Sequence, residues 1–550
     1  MQKAILIHPK DDLGVALTDL KSGETVKVGE VDILIKHDVR AKHKFAMKDF
    51  KEGEEVHMYG LIVGIAKNDL EKGEVITTFN LTHKSEAFTD KIQDQFEWTP
   101  PDVSHFKSKE FLGYHRPDGQ VGTANYWLVF PLVFCENRNI ETIKKAFEKG
   151  MGLEPQDPYT QLVNQMVDKY ESNGQDFESH VFDLNPTEQT AAKPKVFENV
   201  DGIRFLTHQG GCGGIRQDSE ALCRLLAGYV NNPNVAGATV LSLGCQNAQI
   251  EMMQNAFESV NPDFKKPVMF FDQQETGKET DLVKNAITET FKALIKANKN
   301  ERKPAPLSKL TIGLECGGSD GFSGISANPS VGYVSDLVVA LGGKAILSEF
   351  PELCGVEQEL INRTLLQEDA TKFATIMRAY EKAAEDAGSG FDMNPSPGNI
   401  KDGLITDAMK SAGAAKKGGT SPIAGVLDYT EYANRAGLNL LCTPGNDVES
   451  TTGLAGSGAN IILFTTGLGT PTGNPITPVL KVSSNTKLAE RMPDIIDIDT
   501  GAVIRGEKSI EEMGVEMLDH IIEVASGKKE CKAMTLGQFD FIPWKRGVSL

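Results

Sequence analysis

Up to residue 80 the hydrophobic positions come in short alternating runs, AILIH, TVKVG, VDILIKHDV, EVHMYGLIVGIA and GEVITTFNL, broken by turns containing Gly, Asp and Lys. Period-two alternation with such punctuation predicts a small all-β domain over residues 1–84. Over 85–109 the periodicity fades and Pro100 and Pro101 adjoin, which predicts a linker. The pattern then changes. YWLVFPLVFC is apolar on consecutive positions, as a strand buried on both faces of a parallel sheet is, and Pro131 predicts a bend in it. IRFLTHQGGCGG and ATVLSLGCQN repeat the theme between the helical runs YTQLVNQMVDKY, EALCRLLAGYV and TDLVKNAITETFKALIKANKN. Strand and helix in alternation predict βαβ units over 110–300. ERKPAPLSK predicts a second linker at 301–310, and a further α/β region fills 311–550 with KLTIGLEC, VSDLVVALGG, KAILSEFPELCG, LNLLCTPGND and ANIILFTTGLGTPTGN. The predicted fold is therefore multi-domain: a small all-β domain followed by two α/β regions with mostly parallel sheets.

Six of these apolar strands end in a polar or glycine-rich turn: FLTHQGGCGG, LSLGCQN, GLECGGSDG, LSEFPELCG, LLCTPGND and FTTGLGT. Ligands of open α/β sheets bind outside the carboxyl ends of strands, and these turns carry His208, Cys212, Cys245, Glu315, Cys316, Glu349, Cys442, Asn446 and Asp447. The stretch from Gly313 to Gly332 concentrates the pattern, with Glu315, Cys316, Asp320 and Asn328 around one glycine-rich turn. A lining of thiols, carboxylates and a histidine suits metal-assisted acid/base chemistry. Cys212, Cys245, Cys316 and Glu349 are the candidate ligands of a divalent ion, and Glu315 and His208 the candidate proton-transfer groups.

Composition narrows the field. A chain of 550 residues with 40% hydrophobic and 24% charged residues is long enough for two to four domains. No apolar run approaches the roughly 20 residues of a membrane helix, so no membrane partner is expected. A formal charge of −19 without a Lys/Arg block opposes nucleic-acid binding. The eight cysteines are scattered, forming neither a disulfide scaffold nor a zinc ribbon. The start, MQKAILIHPKDDLG, lacks a signal core, which makes a cytoplasmic location the expectation. No phosphate-binding loop or dinucleotide fingerprint occurs, so no nucleotide cofactor is expected. The number of chains in an assembly, including a homo-oligomer, stays open.

GLECGGSDGFSGISANPSVG, NPSPGN, GLNLLCTPGND and TTGLGTPTGN together resemble the altronate dehydratase and galactarate dehydratase family of sugar-acid hydro-lyases, over nearly the whole chain. The resemblance implies a SAF-type N-terminal domain whose HKFA segment brings His43 to the active site. It also implies loss of water from a hexonate or hexarate in hexuronate breakdown, and dependence on iron(II) or manganese(II). D-altronate is the favoured substrate, because FTTGLGTPTG is nearer that branch; galactarate or another aldonate or aldarate is the alternative. Asn125, Asp320, Asn328, Asn399 and Asn446, in or beside these motifs, become candidate substrate contacts. Three departures stand out. Ala124 replaces an arginine that would pair with a carboxylate, Gln246 replaces a glutamate, and Thr77-Thr78-Phe79-Asn80 replaces H-x-H-N and removes two imidazoles. His83 is the candidate stand-in, since alternation puts Thr77, Phe79, Leu81 and His83 on one face. It lies about 13 Å beyond Phe79 at strand rise, so it could act at the same spot only if the chain bends near Asn80. Two other readings remain: a sugar-acid-binding regulatory protein without catalysis, and an iron–sulfur hydro-lyase using Cys212, Cys245 and Cys316.

Overall fold

A computed structural model describes residues 2–91, 96–152, 158–172 and 195–550. The N-terminal part is built of small antiparallel sheets, as alternating burial demands. Leu13–Ala16 lies between Ala4–Ile5 and Lys44–Ala46, Thr25–Val28 pairs with Val31–Leu34, and Leu61–Ala66 lies between Glu55–Met58 and Leu81–Thr82. The run GEVITTFNL does not stay extended. Asn80 Oδ1 accepts the Thr77 N–H at 2.7 Å, and the Leu81 N–H returns to Thr77 O at 3.0 Å, so a turn closes there and leaves Phe79 87% exposed. The shared-face alternation from Thr77 to His83 is therefore broken by an Asn-anchored turn.

Residues 85–109 carry no regular element where described, but they lie on the third region: Lys91 Nζ reaches Thr364 O at 2.6 Å and Trp98 Nε1 reaches Thr420 Oγ1 at 3.2 Å. The expected linker at 301–310 is more ordered than its prolines suggest. Lys303–Pro306 is a strand at the edge of a three-stranded sheet, paired with Glu110–His115. An edge strand tolerates residues that lack an N–H.

The second region is a four-stranded parallel sheet of β1 (Tyr126–Pro131), β2 (Gly202–Phe205), β3 (Val235–Ser242) and β4 (Val268–Asp272), in the order β2-β1-β3-β4. Every residue of β1 is buried, which is why its sequence does not alternate. Helices α1 (Asn137–Met151) and α3 (Glu279–Ala297) cover one face through Ile140, Ile143 and Leu294. Between them in sequence, α2 (Arg216–Asn231) covers the other face, in a cluster that also takes in Tyr429, Tyr432 and Ile476 of the third region.

The third region is a seven-stranded parallel sheet: β5 (Thr311–Cys316), β6 (Lys344–Leu347), β7 (Ile423–Leu427), β8 (Gly437–Leu441), β9 (Ile461–Thr466), β10 (Val479–Ser483) and β11 (Ile498–Asp499). Their order is β7-β8-β6-β5-β9-β10-β11, all pairs parallel. From β5 the chain passes through α4 (Ala327–Ala340) to β6 on one side, and β9 later returns to its other side. That is a topological switch point, and ligands of open α/β sheets bind outside the carboxyl ends of the strands at such points. One hydrophobic core joins Leu13, Val56 and Met58 of the β domain to Leu314, Ile346 and Phe464, so the β domain is fused to this sheet by shared packing. Among the described residues no helix is long and apolar enough to cross a membrane.

Candidate active site

At the switch point β5 ends in Glu315 and Cys316, both buried. Glu315 Oε2 accepts the hydroxyls of Ser348 at 2.7 Å and Ser450 at 2.5 Å, while its Oε1 accepts no hydrogen bond. The neighbouring strand β6 runs into Glu349, whose φ of +68° is a conformation that a side chain rarely adopts. Its N–H donates to Thr443 Oγ1 at 2.8 Å, and its Oε2 accepts from the Cys316 N–H at 3.1 Å and from Lys417 Nζ at 2.9 Å. The Glu349 carboxylate is also hydrogen-bonded to the Glu315 carboxyl beside it. The 3-10 turn Phe350–Leu353 then supplies Glu352, which is paired with Lys410 Nζ and accepts the Cys316 thiol at 3.2 Å. A ligand atom from each of Cys316, Glu349 and Glu352 lies within 4.8 Å of the others.

Burial sets the charge state of this cluster. It raises the Glu315 carboxyl well above the usual range, and the adjacent Glu349 carboxylate adds to that. Burial and then Glu352 raise Glu349, whereas Glu352 is held low against its own burial by the Lys410 ammonium. Lys410 and Lys417 are themselves held protonated despite burial, Lys410 chiefly by Glu352, and Lys417 by Cys316, Glu349 and Glu352 together. The result is a neutral carboxyl beside two ion pairs. Replacing Glu315 by Gln keeps its shape but removes the transferable proton. Glu315→Gln should fold normally and lose about a hundredfold or more in turnover, measured on substrate-saturated enzyme. Near-normal turnover would make Glu315 structural.

A fourth carboxyl group completes the rim. Helix α6 (Asp447–Gly456) is capped by Asn446 Oδ1, which accepts the Val448 and Glu449 N–H groups. Asp447, half-buried, lies so close over Gly317 that a Cβ there would sit 2.3 Å from its Oδ2. Its carboxyl is pushed up to about 7 by burial, then by Glu349 and Glu352. Glycine is required at 317 for this approach.

Asp320 anchors the loop that follows. Its Oδ1 accepts from Phe322 N, Ser323 N and Ser484 Oγ, and its Oδ2 from Asn485 Nδ2 and from Lys42 Nζ at 2.9 Å. Lys42 comes from the β domain, and His43 beside it places Nε2 3.1 Å from Lys401 O. That carbonyl belongs to a segment whose Asn394 touches Glu352 and Lys410 and whose Asn399 Nδ2 holds Ser319 O at 2.7 Å. The NPSPGN motif thus ties the cluster, the glycine-rich loop and His43 together. His43→Ala should cost turnover about a hundredfold if the ring transfers a proton, with the fold checked by circular dichroism. Parental turnover in that variant would remove His43 from the chemistry.

The other residues singled out from the sequence are elsewhere or already engaged. Asn328 spans Gly413 O and Thr465 Oγ1, and Asn125 sits at the amino end of β1, bonded to Arg116 Nη1 and Asn199 O. His208 is buried with Nε2 donating to Pro131 O at 2.8 Å and Nδ1 accepting the Gly210 N–H at 3.1 Å. Burial pushes it down to about 4, so it is a neutral ring bracing its turn. Cys212 and Cys245 are exposed on adjoining loops of the second region, where Asn247 N donates to Gly211 O. Cys316 is in the other sheet, so these three thiols are not gathered into one ligand set among the described residues. His208 and Cys212 instead line a cavity of about 660 Å³, with Glu449, Trp544 and Lys545. Helix α6 joins the two places, with Asp447 over Gly317 and Glu449 on the cavity wall. Glu352, Lys410 and Lys417 are the members of the cluster that were not singled out from the sequence, whereas Asp447 was read there among the residues of the strand-end turns.

The chain matches three family models in succession: the altronate/galactarate dehydratase SAF domain over residues 2–84, the D-galactarate dehydratase/altronate hydrolase second domain over 113–298, and the D-galactarate/altronate dehydratase C-terminal domain over 307–549. It is 33% identical to an altronate dehydratase of Bacillus subtilis (strain 168) over 529 residues, 96% of each chain. It is 32% identical to an altronate dehydratase of Escherichia coli (strain K12), over 96% of each chain. It is 30% identical to the galactarate dehydratase (L-threo-forming) of that organism, over 96% of this chain and 93% of the relative. The chain therefore belongs to the altronate/galactarate dehydratase family.

Proposed function

We propose that this hydro-lyase dehydrates D-altronate to 2-dehydro-3-deoxy-D-gluconate and water, at the cluster around Glu315. The observation that carries this reading is the meeting of Cys316, Glu349 and Glu352 within 4.8 Å of one another at the switch point, with the Glu315 carboxyl hydrogen-bonded to Glu349 beside them. Two carboxylates and a thiol fit a divalent first-row ion, iron(II) or manganese(II), which Cys316, Glu349 and Glu352 would hold. Bound there, the ion supplies Lewis acidity toward the substrate carboxylate and so acidifies the adjacent C–H.

The chain's own groups do the rest. Lys410 and Lys417 stay protonated and neutralise Glu352 and Glu349, so these two carboxylates do not add locally to the formal charge of −19 that would repel a sugar acid. Asp447 Oδ takes the proton from C2, the electron pair forms the C2–C3 double bond, and the C3–O bond breaks. The leaving hydroxyl takes the Glu315 proton and departs as water, and the enol becomes the 2-keto acid. Purified protein supplied with iron(II) or manganese(II) should convert altronate into a product that reacts as a 2-keto acid, with galactarate as the competing substrate. Conversion of galactarate alone would change the substrate; binding of either acid without product would favour the regulatory reading.

A further inference from the structure

A second group of metal-ligating side chains lies where the β domain meets the third region. One ligand atom from each of His83, Cys354 and Asp407 falls within 4.8 Å of the others. Three separate segments supply them. His83 follows the Leu81–Thr82 strand, Cys354 ends the 3-10 turn that carries Glu352, and Asp407 opens α5 (Asp407–Ala414). The segments are packed tightly: a Cβ at Gly355, whose φ is +92°, would lie 3.3 Å from both Ser85 and Ala408, and Thr406 Oγ1 donates to Val63 O at 2.7 Å. Asp407 is 1% exposed and its Oδ2 accepts no hydrogen bond. His83 and Cys354 are half-buried, which leaves a route for an ion from solvent.

We propose that His83, Cys354 and Asp407 form a second divalent-metal site that clamps the β domain to the third region. An imidazole, a thiolate and a carboxylate are the donor set of zinc(II) and of borderline ions such as iron(II) and cobalt(II), with water free to fill the fourth position. Binding displaces the thiol proton, and any proton on the carboxyl, to solvent. The site is two residues from Glu352, and α5 also carries Lys410, the partner of Glu352. An ion here would therefore fix the domain that brings Lys42 to Asp320 and His43 to Lys401, without touching the reacting groups.

Cobalt(II) tests this, because a cobalt–thiolate bond gives a near-ultraviolet charge-transfer band. Cys316→Ser removes the thiol of the cluster around Glu315, so a cobalt–thiolate band that persists in that variant reports a separate site. The proposal expects this band to be lost, with one cobalt fewer per chain, on adding His83→Ala, and equally on adding Asp407→Asn, which keeps the side chain's shape. Circular dichroism checks that each variant is folded. A band abolished by Cys316→Ser alone, or one untouched by His83→Ala and Asp407→Asn, overturns the second site. The first of these outcomes leaves the proposed dehydratase centre standing, and so separates the two ideas.

Discussion

Lys417→Met should destabilise the protein by about 3–5 kcal/mol and abolish turnover, the largest stability effect expected of any substitution in the cluster. Lys417 is 1% exposed and pairs at 2.9 Å with Glu349, which is itself fully buried. Removing the ammonium leaves a buried carboxylate with no compensating charge, and such a loss costs more than the pair itself contributes. The double variant Lys417→Met/Glu349→Gln should recover most of the stability but none of the activity. Urea unfolding of parent, single and double variants measures the difference. A single variant within about 0.5 kcal/mol of the parent would be surface-like behaviour and would contradict the buried ion pair.

Asp447→Asn should lower turnover between a hundredfold and ten-thousandfold, the range for loss of a positioned general base. Its carboxyl is pushed up to about 7, chiefly by burial and then by Glu349 and Glu352. A base works deprotonated, so parental turnover should fall as pH drops through the raised pKa of this buried carboxyl and level off above it. The variant should lose that limb. The same shift means that the folded state binds this proton more tightly than the unfolded chain does. Its contribution to stability is therefore present at low pH and lost as pH rises from 3.8 through about 7. Asparagine removes this titration, so at neutral pH the variant should be no less stable than the parent. Loss of activity together with loss of fold would make Asp447 structural instead.

The strands were legible because parallel strands buried on both faces read as unbroken apolar runs, KLTIGLEC being one. Glu315, Cys316 and Glu349 follow directly from that, since each sits at the end of such a strand. Their lysine partners do not. KSAGAAKKGG reads as the solvated end of a helix, and Lys417 meets Glu349 across 68 positions of sequence, a contact that no local pattern encodes. The histidine in FLTHQGGCGG looked like a site residue because of its glycine-rich surroundings, yet those glycines and the Pro131 carbonyl are what it bonds to. Asparagines in motifs were read as substrate contacts, and in Asn399 and Asn446 the side-chain Oδ1 caps a helix start, a frequent use of that residue type at a turn. A bend near Asn80 is what His83 would need to act at the position of Phe79; the chain does turn there, and His83 lies beside Cys354 and Asp407.

The central claim is that the cluster around Glu315 binds a divalent ion and dehydrates a sugar acid with it. The most direct measurement is altronate turnover by exhaustively chelated protein before and after manganese(II), for the parent and Glu349→Gln side by side. The account predicts no turnover in either chelated protein, restoration in the parent, and none in Glu349→Gln. Full turnover by the chelated parent, or equal restoration in both, would contradict it.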